Sequence, residues 1–145
     1  MIQNLYPTPR LIKNKNMATV KASIGEELYK VEIVSPTGNV VIADEPVEKG
    51  GQNKGFAPKE LLASALAACT CATLRMYADR KGWNLEQVNA DVELIEEAGQ
   101  TKFIRKLQLT GKLDEEQRAR LLTVANACPV HKILTNPIAI ETILI

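Results

Sequence analysis

"PKELLASALAACTCATLRMYADRKG", Pro58 to Gly82, is the stretch on which the fold turns. Proline opens it, at the first helical turn, where a missing N–H costs nothing. Glu60 puts a negative charge in that same turn, where the helix dipole favours it. Arg80 and Lys81 bring positive charge to the last turn, and Gly82 supplies the left-handed cap. The pattern predicts one helix from Pro58 to about Lys81. Its first half is apolar almost all round, which predicts a central, buried helix. Ser64 and Thr70 interrupt the apolar run, so it is not read as a membrane span.

The flanks are strand-like. "TVKASI" from Thr19 and "LYKVEIV" from Leu28 alternate apolar and polar residues around Gly25-Glu26-Glu27, which predicts a hairpin. Pro36-Thr37-Gly38-Asn39 is a turn before a third strand, "VVIADE". The glycine-rich stretch 48–57 lacks the lysine–serine or lysine–threonine pair of a phosphate loop and is read as a flexible connection. After the helix, "VNADVELIEE" and "KFIRKLQLTG" form a second hairpin around Ala98-Gly99-Gln100. Asp114 with Gln117 makes a capping box for another helix. Pro129 interrupts that helix, and a short one restarts with Cys128 at its N-cap. "IAIETILI" is read as a closing strand. Strands, helix, strands, helices and strand in that order give an α+β fold rather than an alternating one.

The chain has 145 residues and a formal net charge of +1. That is the size of one domain with a core of its own. Residues 1–16 are polar and without period, so they are read as an N-terminal extension to a domain at 17–145. A near-zero charge gives no reason to expect nucleic acid or an anionic membrane as partner. One tryptophan, three tyrosines and two phenylalanines make a base-stacking platform improbable. With no apolar leader, the chain is read as cytoplasmic, and its three cysteines as free thiols.

Those thiols are the candidates for chemistry. Cys69 and Cys71 lie two apart, so on a helix they point to nearly opposite sides and cannot pair with each other. Cys69 shares a face with Leu66, Thr73 and Met76, and Cys71 another with Leu74 and Ala78. Either can be core filler, since free cysteine is often buried. Cys128 at a helix N-cap is favoured as thiolate, and His131 follows one turn later. Cys69, Cys128 and His131 could also supply three metal ligands. The chain has no Cys-x-x-Cys pair and no second histidine, so no metal is expected.

"APKELLASALAACT" from Ala57, followed far downstream by "ACPVHKIL" from Ala127, resembles the OsmC/Ohr family, the osmotically inducible and organic hydroperoxide resistance proteins. The resemblance runs from about Met17 to Ile145. "LRMYADRKGW" and "LDEEQRARLL" look like its OsmC-like branch. The resemblance implies an α+β fold with antiparallel sheets packed around a central buried cysteine-bearing helix, in an intertwined homodimer. It implies a peroxidase that reduces organic hydroperoxides to alcohols in oxidative-stress defence, with no cofactor. Cys69 matches the peroxidatic cysteine, oxidised to a sulfenic acid, and Cys128 the resolving cysteine that closes a disulfide. An external dithiol would then reduce that disulfide. Cys71 matches no functional position.

Two departures stand out. In the well-characterised members of that family an arginine from the N-terminal strand region serves the reactive thiol, held by a glutamate directly after the helix-start proline. Here Lys59 follows Pro58, Glu60 comes one place later, and no arginine lies between Met17 and Leu61. Glu60 is the candidate for orienting a cation, and His131 for tuning Cys128. Arg10, Arg75 and Arg105 are the possible substitutes. Two rival readings remain. One is a weakly active or inactive OsmC-like protein that binds a small apolar ligand at the dimer interface. The other is a dimeric structural or stress module with all three thiols buried.

Overall fold

The computed structural model describes residues 17–145. The extension at 1–16 and Arg10 lie outside the described residues. The chain forms two compact units, one ending at Gly55 and the other spanning Phe56–Ile145.

The first unit is a three-stranded antiparallel sheet, ordered β1 (Lys21–Ile24), β2 (Val31–Val34), β3 (Val40–Ala43). The pairing runs Ile24 to Val31 and Val34 to Val40, as the two turn signals require. The glycine-rich segment after β3 is not slack. Asp44 is 2% exposed and gathers it, accepting backbone N–H bonds from Tyr29, Glu45, Gln52 and Lys54 at 2.8–3.2 Å. Gly51 and Gly55 pass so close to other backbone that an added Cβ would lie 1.9 Å from the Glu45 carbonyl oxygen and 2.1 Å from that of Ile42. The expectation of a flexible connection is corrected: these glycines serve close approach, and a buried carboxylate satisfies the loop's donors.

The second unit is built on α1 (Pro58–Lys81), whose ends are those the sequence signals. Gly82 caps it with φ +66°, and its N–H reaches the carbonyls of Ala78 and Asp79. β4 (Gln87–Glu97) and β5 (Gln100–Thr110) pair in register from Gln87↔Thr110 to Glu97↔Gln100. The turn between them is only Ala98-Gly99, both at positive φ, the two-residue form that matches strand twist. α2 (Glu115–Ala125) starts with the complete Asp114–Gln117 capping box, and α3 (Pro129–Thr135) follows with Cys128 as its N-cap.

α1 packs on β4 and touches α2 and α3. The core gathers Leu74 and Ala78 of α1 with Leu85, Leu121 and Ala125. Only one stripe of α1 is buried: Leu66, Thr70, Leu74 and Ala78, each four residues from the next. Leu62 and Met76 on another face are 50% and 58% exposed. The helix is therefore central but not buried all round within one chain. By length and composition α1 could cross a membrane, and in this fold one stripe of it packs into the core of its unit. The expected strand over "IAIETILI" is also corrected. Residues 136–145 carry no regular structure, with Ile140 90% and Leu144 99% exposed. A strand exists only by pairing, and among the described residues none pairs with this tail.

Candidate active site

α1 delivers two adjacent side chains to the site. Thr70 belongs to the buried stripe, and Cys69, half-buried, stands beside it. Fifty-odd residues later α2 stops at Asn126, and Pro129 cannot continue it because it has no N–H to give. The chain turns through Cys128, extended at φ −65° and ψ 148°, and α3 begins. Cys128 takes the place that serine or aspartate usually fills at an N-cap. Its Sγ accepts the His131 N–H at 3.4 Å.

This turn carries Cys128 back against α1. Its Sγ is completely buried and lies 3.9 Å from the Oγ1 of Thr70, the residue directly after Cys69. Two thiols far apart in sequence are thus neighbours. Cys71 is not with them: its Sγ points to the Val88 carbonyl of β4 at 3.9 Å.

β5 supplies the cation. Arg105 Nη1 donates to Thr70 Oγ1 at 2.9 Å and sits 4.0 Å from Cys128 Sγ. Its Nη2 donates to Asn126 Oδ1 at 2.9 Å and lies 3.5 Å from His131 Nδ1. Arg105 can only donate, so the hydrogen-bonded form of that last contact has neutral His131 accepting at Nδ1. Thr70 holds the other end: its hydroxyl donates to the Leu66 carbonyl at 2.6 Å. Its single proton is committed there, so its oxygen faces Arg105 as an acceptor. The planar guanidinium thereby bridges α1 and the end of α2.

Burial is the largest influence on the Cys128 thiol and pushes it up. The His131 amide, the Cys69 thiol and the Arg105 guanidinium pull it down, whereas the Thr70 hydroxyl, its proton given to Leu66, has none to offer the sulfur. The balance falls below the ordinary thiol value.

Beside Arg105 opens a cavity of about 420 Å³. Leu66, Phe103, Leu107 and Leu134 form its apolar wall, and Arg105 and His131 its polar end. The volume falls in the range of small-molecule sites.

Of the residues singled out in the sequence, Cys69, Cys128 and His131 come together and Glu60 does not join them. The Glu60 carboxylate turns back to accept the Ala57 N–H at 2.8 Å, capping α1. Arg75 is committed elsewhere, donating to the carbonyls of Leu85 and Glu86. His131 turns its Nδ1 to the Arg105 guanidinium. Among the described residues no group of three potential ligands is placed to hold a metal. Thr70 and Asn126 carried no signal of their own. Arg105 carried one: Phe103, Arg105, Leu107 and Leu109 all point inward along β5, so a charge occupies an otherwise apolar register.

The arrangement defines an α+β protein with a pair of thiols beside an apolar cavity. The family model described as OsmC-like protein matches residues 51–143, and the chain belongs to that family. Solved structures agree on the fold. An OsmC-like protein from Mycoplasma pneumoniae superposes with a TM-score of 0.71 at 20% identity, over 83% of this chain and 89% of that one. The organic hydroperoxide resistance protein OsmC from Legionella pneumophila gives 0.62 at 22% identity, over 85% and 92%. The organic hydroperoxide resistance protein OhrB of Bacillus subtilis gives 0.59 at 25% identity, over 84% and 93%. No curated protein matches the sequence.

Proposed function

We propose that the protein is a cytoplasmic thiol-dependent peroxidase that reduces organic hydroperoxides, with Cys69 as nucleophile and Cys128 as resolving thiol. The observation that carries this is the placement of Cys128 against the Cys69–Thr70 turn of α1, next to an apolar cavity with a guanidinium at one end. The names of the Legionella and Bacillus proteins, which share the fold, point the same way.

The order of the two thiols follows from access. Cys69 is half-buried and Cys128 fully buried, so an incoming hydroperoxide meets Cys69 first. The Cys69 thiolate attacks the terminal peroxide oxygen, the O–O bond breaks, and the alkoxide takes a proton to leave as alcohol. Cys69 is left as a sulfenic acid. The Cys128 thiolate then attacks that sulfur, expels hydroxide and closes a disulfide. An external dithiol returns both thiols by exchange and leaves as its own disulfide. The apolar wall suits the hydrocarbon part of the substrate.

A homodimer belongs to the same proposal. The exposed apolar side chains of α1 and of the C-terminal tail are what a second copy would cover. Light scattering after gel filtration should give twice the chain mass, and a monomer would refute this part.

The activity is tested by following an organic hydroperoxide in the presence of dithiothreitol. The parent protein should consume it, and Cys69→Ser should not. A Cys69→Ser variant active at the parent rate overturns the assignment. The second reading, a ligand-binding OsmC-like protein with little activity, is favoured by the fact that neither thiol lines the cavity. A parent protein that leaves the hydroperoxide untouched yet copurifies with an apolar molecule would establish it.

A further inference from the structure

Arg105 is half-buried, and among the described residues no carboxylate pairs with it. Its hydrogen-bond partners are a hydroxyl, an amide and an imidazole, all of which can be neutral. A cation taken out of water without an anion is costly. The group beside it that can become an anion is Cys128, whose Sγ lies 4.0 Å from Nη1.

We propose that Arg105 is a positioning residue that holds the resolving thiol Cys128 as its thiolate counter-ion before any peroxide arrives, so that a Cys69 sulfenic acid is closed to a disulfide faster than a second hydroperoxide can oxidise it.

Two features make the placement specific. The fork is anchored at both ends, by Thr70 on α1 and Asn126 at the end of α2, so the charge cannot swing away. Thr70 in turn is locked by its bond to Leu66. The titratable and charged groups facing Cys128 are Cys69 from α1, Arg105 from β5 and His131 from α3. Of these only Arg105 carries a fixed positive charge. An opposite charge at this distance lowers a pKa by about 1–3 units. The chemistry balances without further reagents: the Cys128 sulfur supplies the electron pair, the Cys69 S–O bond breaks, and hydroxide leaves. A protonated Cys128 would first have to lose its proton to water it does not touch.

The first half, an ionised Cys128, stands without the peroxidase reading, and the second half rests on it. The first is tested by titrating Cys128 through its ultraviolet thiolate absorbance in a Cys69→Ser/Cys71→Ser background, with Cys128→Ser added as the blank. The readout needs no access to the buried sulfur. The midpoint should lie well below the ordinary value of about 8.5. Arg105→Gln should raise it by about one unit or more, a roughly tenfold loss of thiolate at pH values below both midpoints. Arg105→Lys should restore part of the shift. A midpoint at or above about 8.5 in the Arg105 protein overturns the proposal, whether or not the variants fold. An unchanged midpoint in folded Arg105→Gln does the same.

The second half is read with all three cysteines present. At equal doses of organic hydroperoxide, Arg105→Gln should accumulate Cys69 with two added oxygens, where the parent forms the disulfide. Equal over-oxidation in an active enzyme would overturn the kinetic role. A parent that consumes no hydroperoxide would instead refute the peroxidase reading and leave the titration result intact.

Discussion

At the scale of single residues, each unit is organised around one group whose ionisation the backbone supports. In the first unit that group is Asp44. Its carboxylate is held below the usual range, chiefly by the Lys54 N–H, against the upward push of burial and with help from the amides of Tyr29, Glu45 and Gln52. A depressed carboxylate pKa contributes stability above the unfolded-state value, and the contribution is lost as pH falls through the folded value. Asp44→Asn should therefore lower the melting temperature at neutral pH. It should also flatten the loss of stability between about pH 4 and more acid conditions. Equal melting curves for the two proteins at pH 7 would show that the carboxylate does not hold the loop. In the second unit the group is Cys128, and its N-cap position was legible because proline after cysteine has one sensible place in a helix. Arg105 was harder to read. Its inward register on β5 was visible in the spacing, but nothing in the sequence says which helix the strand faces. Glu60 misled for a related reason. A glutamate in a first helical turn has a local use, capping its own helix, and that use needs no distant partner.

At the scale of elements, punctuation decided what the sequence could show. α1, α2 and the β4–β5 hairpin were readable because proline, glycine and aspartate mark their ends with local physics. The closing strand was not readable, because alternation in "IAIETILI" states a preference for an edge and cannot supply one. The Ala98-Gly99 turn offers a direct test of local strain. Ala98 is held at φ +50°, where alanine pays for its Cβ and asparagine pays less. Ala98→Asn should raise stability by about 0.5–1 kcal/mol, read as a higher urea midpoint with an unchanged slope. A lower midpoint would mean that the turn is not of this form. The packing of α1 on α2 is tested by Leu121→Ala. Leu121 is fully buried against the core that includes Leu74 and Ala78. The truncation should cost about 2–5 kcal/mol, and a cost under about 1 kcal/mol would contradict the core described.

At the scale of the whole molecule, the account rests on one contact. Cys128, before α3, reaches Thr70 of α1, the neighbour of Cys69, because Pro129 ends one helix and starts another at the right place. α1 is apolar for two reasons. One stripe fills the core, and the rest surrounds a thiol beside a cavity with apolar walls, or stays exposed at the surface of the single chain. The most direct test is a mass-mapped oxidation. The reduced protein is treated with one equivalent of an organic hydroperoxide, digested without reduction, and searched for linked peptides. The account predicts that residues 69 and 128 are joined, that Cys71 remains a thiol, and that dithiothreitol restores the starting masses. Oxidation scattered over the three cysteines with no preferred pair, or three unchanged thiols, would contradict it.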